Sequence, residues 1–549
     1  MASIQKKTVK GIDYWYLIEL KRVNGKPKTF VLDYFGNTKA MTKHFLDILS
    51  NKNRTIKSFS HGDSHALMLM AKKIGIEEIL DAAFKNKKSH GIKRSTSLIL
   101  AAIHRVCRPG SKSEFAEWFK DTTLPQELSI KPEIMTSQHF WEQMDNITEE
   151  ELRNAEDAIT GKILNMYHLN LDKVALDYTN YFTYVSTDNE SSTLAKRGRN
   201  KQKRYDLKQC SLAIITTKES GLPLFSHVYA GNINDQTEFR EYTKLLKERL
   251  PDQSLEEITL VFDGGSNTKE NLNSLTMHYI CSFSLSYCKE LYDINIEDYG
   301  EAGVNNKMVR CHRIQKKIWG RERTCLLTFS GKLYGGQKKE LNAGIAEAEN
   351  ELKELNDKLN NERSRIDKSE NGLKSRIKKI LNRRHISDII QTEIKENKIT
   401  YKINDTKKEE IMHKYFGKKL TITDRDEWET EKILKTYYEQ DAIEKIFRGT
   451  KNTDHFSMQP IYHWQDQKIR VHIFICLLGL TLATVLQKEL QDKGIAVSKD
   501  RLIGTLSQIR ECWISDNDFD MENKSIKINK KLEYMDEQQE NIWGIIESI

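Results

Sequence analysis

Three acidic residues set the chemical question this chain poses. In KVALDYTNYF the apolar run Val174, Ala175 and Leu176 has strand character and leads into Asp177. In ITLVFDGGSNTKENL the run Ile258, Leu260, Val261 and Phe262 leads into Asp263, and Gly264-Gly265 offer a tight turn before a helix. Each aspartate alone reads as a turn or helix cap. As a pair at the ends of two apolar strands they say more, because open α/β sheets gather their sites at the carboxyl ends of strands. A third acid, Glu444, lies in YYEQDAIEKIFRGTK, where a step of 100° per residue puts Tyr437, Gln440, Glu444 and Lys451 on one stripe of a helix. Ile443, Ile446 and Phe447 fall on another face, suited to packing on a sheet, while Glu439 and Asp441 are competing acids on the same segment. Carboxylates drawn together are hard oxygen donors for Mg²⁺ or Mn²⁺.

Positioning such residues requires a sheet. Residues 172–290 supply strands in KVALDY, CSLAIITT, LPLFSHVYA, ITLVFD and YICSFSL, with the helical QTEFREYTKLLKERL between the third and fourth. That order reads as α/β or α+β around a single sheet. The flanking organisation is read as six parts: 1–58, a β-hairpin region turning at Asn24-Gly25; 59–168, short amphipathic helices with stops at Pro109-Gly110 and Pro125; 169–290, the first part of the α/β core; 291–416, an insertion; 417–490, the second part of the core; and 491–549, a helical, charged tail. In the insertion Leu341, Ile345, Ala348, Leu352, Leu355 and Leu359 mark a short heptad seam, pointing to a helical hairpin or short coiled coil. The run IFICLLGLTLATVL, Ile473 to Leu486, is shorter than a membrane span and reads as a buried core helix.

Taken together, Asp177, Asp263 and Glu444, the last inside Y-x-x-Q-x-x-x-E-x-x-x-x-x-x-K, resemble the DDE transposases of prokaryotic insertion sequences, in particular the subgroup with the Y-(2)-R-(3)-E-(6)-K signature and a long insert before the glutamate. YWYLIELKRVNGKPKTFVLDYFG resembles that group's opening hairpin, KRYDLKQCSLAIITTKESGLPLFSHVYAGNINDQTEF the stretch after the first aspartate, and QPIYHWQDQKIRVHIFICLLGL the C-terminal block. Gln440 stands where the signature has Arg, and Gly264 where relatives often have Arg after the second aspartate.

The resemblance implies an RNase H-like catalytic core with the acids on the first strand, the fourth strand and a later helix. It implies Asp177, Asp263 and Glu444 as catalytic metal ligands, double-stranded DNA at transposon ends as substrate, and a homodimer in the synaptic complex. Cleaving and rejoining a phosphodiester with two Mg²⁺ ions, for which Mn²⁺ can substitute, calls for three carboxylates: one ion activates the attacking water or 3′-OH and the other stabilises the leaving oxygen. The helices of 59–168 become the expected DNA-binding region, with no recognition helix singled out.

Contacts to the phosphate backbone are expected from the basic run LAKRGRNKQKRYDLK, with Lys196, Arg197, Arg199, Lys201, Lys203, Arg204 and Lys208, and from Tyr437, Gln440 and Lys451. Asn232 and Asp235 are read as caps of the following helix, and His463 and His472 as core or surface histidines. Composition agrees without deciding. Lys+Arg 87 against Asp+Glu 79 gives a net charge of +8, which permits a polyanionic partner. The 8 cysteines form no C-x-x-C pair or paired Cys/His spacing, so neither zinc nor a disulfide framework is expected, and a cytoplasmic, nucleoid-associated protein fits. A DNA-binding protein without catalysis and an RNase H-like nuclease that cuts without joining are the alternatives.

Overall fold

The structure is a computed structural model that describes residues 2–23, 26–50, 55–84, 88–89, 91–186, 189–200, 203–249, 255–361, 363–395, 398–439, 443, 447, 449–451, 456–515 and 528–549. Two compact units emerge, each from segments distant in sequence. The smaller combines Met1–Ala66, Ala116–Met135 and Asp500–Ile549; the larger combines Leu67–Phe115 and Thr136–Lys499. The helical stretch expected over 59–168 is therefore shared between the units.

The larger unit is built on one nine-stranded mixed sheet. In chain order its strands are β1 (Lys173–Thr183), β2 (Lys208–Thr217), β3 (Pro223–Ala230), β4 (Thr259–Phe262), β5 (His278–Phe283), β6 (Gly300–Val304), β7 (Lys307–Ile318), β8 (Arg321–Phe329) and β9 (Lys418–Thr423). Across the sheet they run β6-β7-β8-β9-β5-β4-β1-β2-β3. β1, β2 and β3 form an antiparallel meander, β4 lies parallel to both β1 and β5, and β9 is antiparallel to β5 and β8. The central strands read as near-continuous apolar runs because both faces are covered: all four residues of β4 are buried, as is nearly all of β2.

The apolar run near the C-terminus lies within a 27-residue helix, Asp466–Asp492 (α1). Among the described residues it is the one helix long and apolar enough to cross a membrane, yet 94% of its apolar window is buried within the fold. It packs on the helix Arg94–Cys107 so closely that a Cβ at Gly479 would lie 2.7 Å from the Ala102 carbonyl oxygen. A third helix, Glu149–Tyr167, starts at a capping box of Thr148 and Glu151 and joins the sheet through Thr160, whose hydroxyl donates to the Leu224 carbonyl on β3 at 2.8 Å.

The sheet extends further than the sequence reading placed it. β6, β7 and β8 belong to it, so the departure from the sheet begins at Gly331, not near 291. β7, KMVRCHRIQKKI, alternates charged and apolar residues with only one face covered, which hides a strand beneath a basic composition. The insertion proper opens with the 30-residue helix Gly331–Asn360, capped by the Ser330 hydroxyl, which accepts from the Leu333 N–H. All six seam residues are buried, covered by Leu373 and Ile377 of the helix Glu370–Ile380 and by the hairpin Ile390–Lys395/Lys398–Ile403. The seam is a core internal to the insertion.

In the smaller unit Ile12–Val23 pairs antiparallel with Lys26–Asn37, as the hairpin signal predicts; the turn at Asn24-Gly25 lies outside the described residues. A further strand, Ala2–Val9, completes that sheet. A second three-stranded sheet joins Thr55–Ser60 to Arg510–Ser515 and Ile528–Leu532, so the tail is not purely helical. Trp513, 1% exposed, packs in a tilted arrangement on Phe59, with ring centroids 4.9 Å apart.

Candidate functional site

Strand register brings the two aspartates together. Parallel pairing matches Leu176 of β1 with Phe262 of β4, both fully buried, so the next residues, Asp177 and Asp263, stand at the same level on neighbouring strands. Adjacent strands are about 4.8 Å apart. Asp177 does not end its strand, contrary to the sequence reading: β1 continues to Thr183, paired with β2, and Asp177 sits mid-strand opposite Ile214. It is half-buried, and one carboxylate oxygen accepts the Tyr178 N–H at 2.7 Å. Asp263 does terminate β4. It is exposed, and its side chain makes no capping bond to the turn Gly264–Ser266, so the cap reading fails for this residue.

Glycine at 264 has a geometric reason. Its N–H donates to the Ser282 hydroxyl at 2.7 Å, and a Cβ there would lie 3.0 Å from both Ser282 oxygens. Asn267 donates to the Ser282 carbonyl at 2.6 Å, so the turn carrying Asp263 lies directly on β5. A side chain at 264 would have to displace this contact.

Tyr437 joins the aspartates. It lies on the helix Thr430–Tyr438, whose Ile433 and Leu434 are fully buried in a cluster with Val261, Ile280 and Leu326. Val261 is thus a shared anchor for the strand bearing Asp263 and the helix bearing Tyr437. The Tyr437 phenol is pushed above its ordinary range, first by burial and then by the nearby Asp263 charge, against an opposing hydrogen bond from Ser282. The helix ends at Tyr438 with Glu439 as its cap. Gln440 and Glu444 lie outside the described residues, so the stripe on which they were placed is described only at Tyr437 and Lys451. Ile443 and Phe447, assigned to the packing face, are buried.

Lys451 approaches β1. Its ammonium lies 5.8 Å from the ring centroid of Tyr181, and the Tyr181 hydroxyl hydrogen-bonds the Thr450 hydroxyl at 2.6 Å. Asp177 and Tyr181 share a face of β1, with a spacing of about 13 Å at 3.3 Å per residue. Tyr181 and Thr450 were not singled out from sequence. A tyrosine in an apolar strand carries no signal until its partner, far along the chain, is known.

The basic run divides by what its members touch. Lys196 makes an isolated antiparallel bridge to Gln209, with N···O distances of 3.0 and 2.9 Å, which folds the run back onto β2. Arg197, Arg199 and Lys203 are exposed. Arg204 is held in a bidentate pair with Asp206 at 2.8 and 2.7 Å, and Lys208 donates to the carbonyls of Ser186 and Asn189 at 3.0 and 2.8 Å. An open groove lined by Asn189, Glu190, Lys196, Arg197 and Lys208 results. Lys201 lies outside the described residues. The loop entering the groove is fixed by Asp466, the first residue of α1. Its carboxylate accepts from the Ser192 hydroxyl at 2.5 Å and from the N–H groups of Thr193 and Leu194 at 2.8 and 3.1 Å.

The remaining candidates are structural. Asn234, rather than Asn232, makes the turn into the helix Asp235–Arg249: its side-chain oxygen accepts the Gln236 N–H at 3.1 Å, and Asp235 accepts from the Tyr229 hydroxyl at 2.7 Å. His472 is buried with Nε2 3.1 Å from the Met458 carbonyl, and His463 Nε2 lies 3.1 Å from the Lys112 ammonium.

No protein-family model matches the chain, and no curated protein matches it. Among solved structures the chain is similar to the piggyBac transposase in its synaptic complex with hairpin DNA, with a TM-score of 0.37 and 9% identity over 80% of this chain and 79% of that one.

Proposed function

We propose that the chain is a DDE-type transposase of the insertion-sequence kind, which cleaves DNA at the ends of its element and joins the freed 3′-OH to target DNA. The observation that carries this reading is the placement of Asp177 and Asp263 at one level of adjacent parallel strands, with Tyr437 beside Asp263. An RNase H-like core would have its acids on the first strand, the fourth strand and a later helix; β1 and β4 carry the two aspartates, and Glu444 lies outside the described residues.

The donor set fits the hard divalent cation that such chemistry uses. Two carboxylates in register supply oxygen ligands, and no thiol or imidazole is called for. Asp177 and Asp263 would hold Mg²⁺ with Glu444, and the bound ions would supply activation of the attacking oxygen and stabilisation of the leaving one. The chain's own residues do the rest. Half-buried Asp177 is held in place by the Tyr178 N–H, the turn on Ser282 fixes the backbone of Asp263, and the cations at Lys196, Arg197, Arg199 and Lys451 would engage phosphates flanking the scissile bond. Two ends brought together would require two copies of the chain.

The test is cleavage of a duplex carrying the flanking terminal repeats, with and without Mg²⁺, by the wild type and by Asp177→Ala, Asp263→Ala and Glu444→Ala. Metal-dependent nicking with strand joining, lost in all three variants, is expected. Binding without cutting identifies a non-catalytic DNA-binding protein, cutting without joining identifies a nuclease, and full cleavage by any one variant removes that residue from the ligand set.

A further inference from the structure

A second cluster of side chains able to ligate a metal lies in the smaller unit, whereas the proposed catalytic aspartates belong to the larger one. His61 immediately precedes the helix Gly62–Ile74, and the His65 N–H donates to the His61 carbonyl at 2.9 Å, so the two imidazoles sit one helical turn apart on the same side. Their rings stack at 4.4 Å. The segment facing them is clamped to the end of the strand Thr55–Ser60. The Ser60 N–H donates to the Asp121 carbonyl at 2.8 Å and the Thr123 N–H to the Ser60 carbonyl at 3.1 Å. This presents Glu127 to both histidines, with Oε2 2.9 Å from His65 Nδ1 and Oε1 3.7 Å from His61 Nδ1.

We propose that His61, His65 and Glu127 form a binding site for a zinc-class divalent cation. The three donor atoms lie within 4.8 Å of one another. Bonds of about 2.0–2.1 Å in a tetrahedral site put neighbouring donors about 3.3 Å apart; His65 Nδ1 lies 2.9 Å from Glu127 Oε2, and His61 Nδ1 lies 3.7 Å from the other carboxylate oxygen, Oε1. Two imidazole nitrogens and one carboxylate oxygen favour a borderline cation over Mg²⁺, which separates this site chemically from the all-carboxylate pair. His61 is 7% exposed, whereas the His65 and Glu127 side chains are 25% and 19% exposed, which leaves one side open for entry and for a water as fourth ligand. The Trp543 ring walls the site at 5.2 and 5.9 Å from the two imidazoles. The Thr123 hydroxyl donates to Glu127 Oε1 at 2.6 Å and so orients the carboxylate from outside; it also lies 2.8 Å from His61 Nδ1, a hydrogen bond that a cation taking this nitrogen would replace. A simple ion pair with Glu127 would need only His65. The second imidazole, stacked on the first with Nδ1 toward the same carboxylate, is what a ligand set requires. The cation would act as a clasp between two segments of the unit that are distant in sequence.

The site is tested on the full-length, chelator-stripped chain by titration with Co²⁺, whose visible absorption reports four-coordinate nitrogen and oxygen ligation, followed by displacement with Zn²⁺. Wild type should take up one equivalent with visible bands that Zn²⁺ abolishes. Loss of outer-sphere partners alone typically weakens metal binding 10–100-fold, so His65→Ala and Glu127→Gln, each removing a direct ligand, should weaken it at least about 100-fold. The double variant Asp177→Asn/Asp263→Asn should bind as wild type does. Circular dichroism monitors folding; if His65→Ala misfolds, the near-isosteric Glu127→Gln decides. Absent bands in wild type, unchanged affinity in Glu127→Gln, or bands lost in the Asp177/Asp263 variant would each overturn the assignment.

Discussion

Replacing Asp177 by asparagine should reverse its effect on stability according to whether Mg²⁺ is present. Asp177 and Asp263 stand at one level on strands about 4.8 Å apart. At about 5 Å two like charges repel by roughly 3 kcal/mol at an effective dielectric of 20 and by less than about 1 kcal/mol in water. Because Asp263 is exposed and Asp177 half-buried, about 1 kcal/mol is the appropriate figure. Asparagine removes that repulsion and keeps an oxygen to accept the Tyr178 N–H, so in chelator Asp177→Asn should be more stable than wild type by about 1 kcal/mol, or roughly 1 °C for a cooperative unit as large as the one that carries it. With Mg²⁺ at a hundredfold excess over its Kd, wild type gains about 2.7 kcal/mol by mass action. The variant, lacking a ligand, forfeits most of this, and the order inverts. Thermal unfolding followed by circular dichroism in chelator and in Mg²⁺ reads both limbs. If Asp177 were only a structural acceptor, the variant would be equal or less stable in both conditions with an undiminished Mg²⁺ response, and that result would refute the reasoning.

Three further outcomes follow from particular contacts. Burial raises the Asp466 carboxyl, but hydrogen bonds from Ser192, Thr193 and Leu194 outweigh it and leave its pKa depressed, so its contribution is present above the unfolded carboxylate value and lost as pH falls through the folded one. Asp466→Asn should therefore cost about 1–2 kcal/mol at pH 7 and progressively less as pH falls below the ordinary carboxylate range; urea midpoints across that pH series check this, and equal midpoints at pH 7 would contradict it. Gly479→Ala gains about 1 kcal/mol of helix propensity but places a Cβ 2.7 Å from the Ala102 carbonyl oxygen and 2.9 Å from Val106 Cγ2. Overpacking against backbone costs about 1–3 kcal/mol, so net destabilisation is expected in the same midpoint assay, and a stabilised variant would show that the helices separate freely. In salt titrations of duplex binding by fluorescence anisotropy, Arg199→Ala should lower the slope of log K against log salt by about 0.9. Arg204→Ala should change it less, because Arg204 is already neutralised by Asp206; a full unit lost there would reject this division of the basic run.

The parts legible in sequence are those whose signal is local. Apolar runs such as TLVF in β4 and the core of α1 declare themselves because burial on all sides leaves few polar residues. The proximity of Asp177 and Asp263 was accessible as well, since two strand-borne aspartates in an α/β order point to one sheet edge. What stayed hidden depends on partners far away in the chain. Arg510–Ser515 reads as part of a charged tail until Thr55–Ser60 pairs with it, and β7 looks like a basic loop until β8 covers one of its edges. Asp177 was misplaced at a strand end because the apolar run stops at Leu176, whereas pairing with β2 carries the strand on to Thr183. The cluster of His61, His65 and Glu127 escaped for the same reason, since its members are separated by the helix Arg94–Cys107 of the other unit.

The insertion leaves from β8 and returns into β9, and these strands are immediate neighbours: Phe329 pairs with Lys418, and the Ser330 N–H donates to the Gly417 carbonyl at 2.8 Å. Topologically the whole of 331–416 is thus the loop of a β-hairpin, with its own apolar core and both ends already held at hydrogen-bonding distance. Loop-closure entropy grows only slowly with length, so the sheet tolerates a large module at this connection as readily as a short one. A lineage, or an experimenter, could exchange the module for another of different size, or for a tight turn, without disturbing the strands that carry Asp177 and Asp263.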